Sequence, residues 1–166
     1  ERMKKIMKKF LSSLLALTMI LSLVIVPANA SGNTISGVSI TPPSATLKVG
    51  DSQQITVSKP QLITGDKLTV NDQDITLSDT PEFTVSGFTS SNIKVVTVSQ
   101  DSAKDNLATA TAVGAGTATI SCTVTCNYKY NDGVKNIDAT ATQTLTTEIT
   151  VEPPVTYTYE IGGSVA

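Results

Sequence analysis

The sequence predicts an all-β protein, two packed sheets of short strands behind an export leader, and three observations carry that expectation. Past residue 30 the chain is rich in Thr, Val, Ile and Ser, and branched β-carbons suit a pleated, half-buried surface better than a helix. Apolar residues there alternate with polar ones, and no window sustains a 3.6-residue period. The alternating runs are short and are separated by Gly, Pro, Asn and Asp at near-regular spacing, the pattern of a β-sandwich. About seven strands and one inserted hairpin are expected.

The leader comes first. Arg2, Lys4, Lys5, Lys8 and Lys9 form a basic start. Phe10 to Val26 is an apolar run broken only by Ser12, Ser13, Thr18 and Ser22, and Ala28-Asn29-Ala30 places small residues where a signal peptidase reads them. Residues 1–30 therefore read as a signal peptide cut after Ala30. The competing reading is an uncleaved anchor, but seventeen residues lie at the short end of what spans a bilayer. Cys122 is the first cysteine, so the leader lacks the thiol of a lipoprotein anchor. The chain is expected to be secreted or held at the cell surface, with no membrane span after cleavage. Residues 31–33 would be a short tail, 34–152 the sandwich, and 153–166, which opens with Pro153-Pro154, a linker or the start of a further domain.

Five of the twelve basic residues and one of the fourteen acidic ones fall in the leader, which leaves the remaining 136 residues with a net charge of −6. That length suffices for one domain with a proper core. An acidic chain without basic clusters argues against a nucleic-acid partner, because phosphate binding needs a concentrated positive face.

Val38 and Ile40 open the first strand, Pro42-Pro43 break it, and Leu47 and Val49 resume it. Proline cannot donate to a ladder, so such a break is where an edge strand can pass from one sheet to the other. Gly50-Asp51 turns the chain into a strand at Ile55 and Val57. Leu68-Thr69-Val70 and Ile75-Thr76-Leu77 then flank Asn71-Asp72-Gln73-Asp74, which predicts a hairpin with a four-residue polar loop. Ser78-Asp79-Thr80-Pro81 is a further turn, Phe83 and Val85 mark a strand, and Val96 and Val98 another before the polar loop Ser99 to Asn106. Ala108, Ala110 and Ala112 alternate with threonines up to Gly114-Ala115-Gly116. Ile120, Cys122, Val124 and Cys126 share one face opposite Thr119, Ser121, Thr123 and Thr125, the clearest period-two run in the chain. After the turn at Asn131-Asp132-Gly133, a last strand runs from Ala139 to Val151.

Three segments, in this order, resemble a bacterial immunoglobulin-like domain of group 2, the module of invasin- and intimin-type surface proteins. They are Lys48-Val49-Gly50-Asp51, the stretch Phe88-Thr89-Ser90-Ser91-Asn92 with its Val-rich continuation to Val98, and Thr111-Ala112-Val113-Gly114-Ala115-Gly116-Thr117-Ala118-Thr119-Ile120. The resemblance implies an immunoglobulin-like β-sandwich used for adhesion or spacing. Phe88 stands where the family usually has Trp, a tolerable change for a residue that fills the space between sheets. The segment 59–87 is longer than the family's usual link, and an insertion on a rigid scaffold is where binding residues tend to sit.

The chemistry available is narrow. There is no histidine, which removes Ser-His-Asp and Cys-His catalysis and His-containing zinc sites. Asp66, Asp72, Asp74, Asp79 and Glu82 lie in turn-like contexts, where Asp serves local backbone hydrogen bonds. The sharper alternative is a calcium site drawn from Asn71, Asp72 and Asp74 with Asp66 or Asp79, although the spacing is not that of an EF-hand. Four residues along a straight strand separate the Cα atoms of Cys122 and Cys126 by roughly 13 Å, too far for a disulfide, so two inward-facing thiols are expected. Tyr128 and Tyr130 continue the inward register of Cys126 and are expected to pack on the core; stacking on a sugar is the other reading.

No enzyme activity, metal or cofactor is expected. The expected function is a non-catalytic adhesion or spacing module, its partner an extracellular or cell-surface protein or glycan. The binding residues would be Asn71, Asp72, Asp74, Asp79 and Glu82. The alternative is a carbohydrate-binding accessory domain of a secreted polysaccharide-degrading enzyme.

Overall fold

The chain divides into two units, Glu1–Ser31 and Gly32–Ala166, and the computed structural model describes residues 33–155 of the second. The expected leader, and the linker region beyond Val155 with Tyr157 and Tyr159, lie outside the described residues. Ten strands and no helix make up the described part: β1 (Ser39–Thr41), β2 (Ser44–Lys48), β3 (Ser52–Ser58), β4 (Lys67–Val70), β5 (Gln73–Thr76), β6 (Glu82–Ser90), β7 (Val96–Gln100), β8 (Leu107–Ala112), β9 (Gly116–Asn131) and β10 (Asn136–Glu152). One sheet has the order β1-β3-β8-β7, a second β2-β10-β9-β6, and β4-β5 pair by themselves.

The fold is all-β and sandwich-like. Ile55, Val96, Ala108 and Ala110 of the first sheet form one apolar cluster with Ala118, Ile120, Ile149 and Val151 of the second. Alternation explains the facing: along β9 Ala118, Ile120, Cys122, Val124 and Cys126 are buried while the threonines between them face outward. The small alanines of β8 let the sheets approach closely, and half-buried Phe88 fills the adjoining space. The main sheets hold eight strands rather than about seven, because Pro42-Pro43 split the first one. β1 pairs antiparallel with β3, and β2 pairs parallel with β10 in the other sheet. The sheet switch expected from the prolines is present.

The inserted hairpin departs from expectation. Its loop is two residues, not four: Asn71 and Asp72 have φ of 51° and 62°, the left-handed pair that a tight hairpin turn requires and that Asn and Asp tolerate best. Gln73 and Asp74 therefore belong to β5, with Asp74 opposite Thr69. Nor is the hairpin a free appendage. Leu68, Val70 and Leu77 join Ile35, Cys126 and Ala141 in a second apolar cluster, against which Phe83 and Tyr128 pack. β9 and β10 are 16 and 17 residues long and outrun the first sheet; the insertion covers the inner face of that overhang.

The two sides of the sandwich close differently. On one, the β1–β2 crossover is held by the buried Thr147, whose hydroxyl donates to the Pro42 carbonyl at 2.6 Å. On the other, the Lys59 ammonium donates to the Phe83 carbonyl at 3.2 Å and to both oxygens of Asp105 at 3.0 and 3.1 Å. Asp105 accepts the Val85 N–H at 2.9 Å, and Gln100 donates to the Val85 carbonyl at 3.1 Å. These side chains occupy main-chain groups on the free edge of β6, which blunts that edge against pairing with another chain.

Candidate functional site

The five residues expected to bind fall into two places. Asn71, Asp72 and Asp74 sit on the β4–β5 hairpin, where Asn71 bonds to the N-terminal segment beside the hairpin and Asp74 bonds within it. Asn71 Oδ1 accepts the Thr34 N–H at 2.9 Å and its amide donates to Asn33 at 3.1 Å. Asp74 accepts the Thr69 hydroxyl at 2.8 Å and lies 3.7 Å from the Lys67 ammonium. Asp66, the other candidate calcium ligand, accepts the Ile63 N–H at 2.9 Å within its own turn. Among the described residues no three His, Cys, Asp or Glu side chains converge in a way that could hold a metal ion. The hairpin residues thus hold the hairpin's own shape and staple Asn33 and Thr34 to its tip.

Asp79 and Glu82 are elsewhere. They border an open cleft of about 400 Å³ with Asn127, Tyr128, Lys129 and Asp138. Three elements build it. The Ser78–Thr80 turn curls over because the Ser78 N–H donates to the Lys129 carbonyl at 2.9 Å. Glu82 begins β6 opposite Asn127. The third element is the distal β9–β10 hairpin, where Lys129 and Asp138 face each other at 3.6 Å and the Thr140 hydroxyl donates to Asn127 at 2.8 Å. Asp79 is half engaged, its carboxylate accepting the Thr80 N–H at 2.8 Å.

Tyr128 borders the cleft along the strand, but its ring keeps the inward register of Cys126 and lies on the opposite face of β9 from Asn127 and Lys129. It packs against the cluster beneath the hairpin and lies 6.3 Å from Tyr130, centroid to centroid, with the rings tilted by 33°. Burial, then the neighbouring Tyr130 and Cys126, push its phenol pKa up, so the hydroxyl stays protonated and can donate. The cleft itself offers carboxylate acceptors, an amide, an ammonium and the Thr140 hydroxyl, a set suited to hydroxyl-rich or peptide ligands.

Asn127, Lys129, Asp138 and Thr140 were not singled out from sequence, because they come together only through the register of β9 on β10. The turn expected at Asn131-Asp132-Gly133 would set Lys129 opposite Lys135; in the structure the turn is residues 132–135, Asn131 pairs with Asn136, and only this register brings Lys129 opposite Asp138. Cys122 and Cys126 are buried and unbridged, and burial pushes each thiol up to about 11. Comparison with protein-family models, with curated proteins and with solved structures finds no match to this chain.

Proposed function

We propose that this chain is an exported, non-catalytic module with an immunoglobulin-like sandwich of the bacterial group 2 kind, acting at the cell surface or in the medium as a spacer or adhesive unit. The observation that carries the reading is the parallel pairing of β2 with β10, Ser44 to Lys48 against Glu148 to Glu152. The strand orders β1-β3-β8-β7 and β2-β10-β9-β6, with the first strand shared between sheets, are those expected of an immunoglobulin-like domain. Gln143, next to which Ile35 enters through a 2.6 Å bond to the side chain, is nine residues from Glu152, about 30 Å along the strand. A pull between the two ends of the unit draws β2 and β10 in opposite directions along their common axis. All the bonds between them then load together.

The test is tensile. Successive residues of β2 alternate in the direction of their N–H groups, so a proline at either Ala45 or Thr46 removes a bond to β10 and one at the other does not. Held by its ends, the chain from Gly32 to Ala166 should unfold at a lower force with one of these prolines and at nearly the original force with the other. Equal forces for all three proteins would contradict the reading. A second reading, a carbohydrate-binding accessory domain, draws on the cleft lined by Glu82 and Asn127; a glycan array probed with Asn127→Ala beside the parent chain separates the two, since a pure spacer retains no glycan.

A further inference from the structure

Among the described residues, the long outer edge of β10 is unpaired over most of its length. Over Glu148 to Glu152 this strand is flanked by β2, but from Asn136 to Thr147 it pairs with β9 alone. Among the described residues no main-chain group outside β9 bonds the backbone of residues 137–146. The other edges are short or guarded. β1 and β2 have three and five residues and are divided by Pro42-Pro43, β7 has five, and β6 is covered by Lys59, Asp105 and Gln100. The β10 edge has neither proline nor lysine over residues 137–146, and ten residues extend about 33 Å. Such an edge is a template for another strand.

We propose that this edge pairs antiparallel with the same edge of a second copy, joining two β2-β10-β9-β6 sheets across a twofold axis. Self-pairing is favoured by what the edge displays. Thr140, Thr142, Thr144 and Thr146 are exposed on one face, while Ala141 and Leu145 are buried on the other. Any register centred on a residue sets exposed face beside exposed face, and centring on Thr142 brings Thr140 opposite the partner's Thr144, a favourable cross-strand pair. Asp138 is the sole ionisable side chain in residues 137–147, and in that register it meets a threonine. Two copies that each carry a net charge of −6 beyond the leader thus meet along an almost uncharged line.

Sedimentation of the Gly32–Ala166 chain from micromolar to millimolar concentration tests this. The expected result is a concentration-dependent dimer, with Kd weakened at least tenfold by Thr142→Lys combined with Thr144→Lys at unchanged Tm. Thr123→Lys, on the same face but in interior strand β9, should leave Kd unaltered. Thr142→Cys should crosslink to its own copy under mild oxidation. A monomer at every concentration would overturn the proposal, as would a dimer broken by Thr123→Lys and indifferent to the edge lysines. A dimer that forms only after removal of residues 156–166 would also overturn it, by assigning the edge to the chain's own C-terminal segment.

Discussion

Gly114→Ala isolates the physical basis of the glycine turn between β8 and β9. A methyl group at Gly114 would lie 2.5 Å from the carbonyl oxygen of Lys94, against a closest tolerated approach of 3.0 Å. The obstacle is main chain, so no rotamer change relieves it. The 92–95 loop is also held in place: Val95 accepts the N–H groups of Val113 and Gly114 at 2.8 and 3.3 Å, and Asn92 accepts those of Val95 and Val96 at 3.0 Å each. A retreat of about half an ångström stretches the first two bonds, each worth about 1 kcal/mol net. It also shifts the buried Val95 and Val96, and overpacking of this kind costs about 1–3 kcal/mol. The expected loss is about 2–4 kcal/mol. Gly133→Ala is the counterpart: its φ is +93° but nothing lies within 4 Å, so it should cost only the left-handed penalty of about 1–2 kcal/mol. Urea unfolding of the Gly32–Ala166 chain measures both, and a smaller loss for Gly114→Ala than for Gly133→Ala would refute the steric reasoning.

Leu68→Ala should destabilise by about 2–4 kcal/mol, because Leu68 is fully buried beneath the hairpin; a loss under about 0.5 kcal/mol in the same assay would mean the hairpin is loosely attached. Asp72→Gly should leave stability unchanged or raise it by up to about 1 kcal/mol, since glycine adopts φ near 62° without penalty. For Asp105, burial is the largest single influence and raises its pKa, yet the Lys59 hydrogen bond, the Val85 N–H, the Lys59 charge and the Asn106 N–H together carry it below the ordinary 3.8. The ionised form therefore contributes stability that is complete above pH 3.8 and is lost as pH falls through the lowered value. With the side chain 41% exposed, the gap between the parent and Asp105→Asn should be about 1 kcal/mol near neutrality and close on acidification; a gap that widens in acid would contradict the assignment. Because burial pushes both cysteines up to about 11, iodoacetamide near pH 8 should label neither thiol in the folded protein and both in urea, as read by mass.

Much of the fold was legible because it is written at short range. Period-two runs located the strands, glycine and Asn-Asp pairs located turns, and Pro42-Pro43 located the sheet switch. Gln73 and Asp74 read as loop because they are polar, and polarity alone does not separate a loop from an exposed strand face. Their strand state depends on φ at Asn71 and Asp72. The insertion's role in covering the β9–β10 overhang could not be read locally, since Leu68 and Ala141 meet only once the strands are assembled. The cleft was half legible: Asp79 and Glu82 stood out as acids in a turn, but Lys129 and Asp138 gain meaning only from the register of β9 on β10. The guard on β6 was hidden for the same reason, as Lys59 and Asp105 lie 46 residues apart.

Pulling the same chain in two directions shows whether the β2–β10 pair resists extension. Handles at the two ends of the Gly32–Ala166 unit shear β2 along β10, whereas handles at Val49, placed through Val49→Cys, and at the C-terminal end open the pair from Lys48 and Glu152, one bond at a time. The unfolding force should be several-fold higher in the first geometry. Equal forces in both would contradict it.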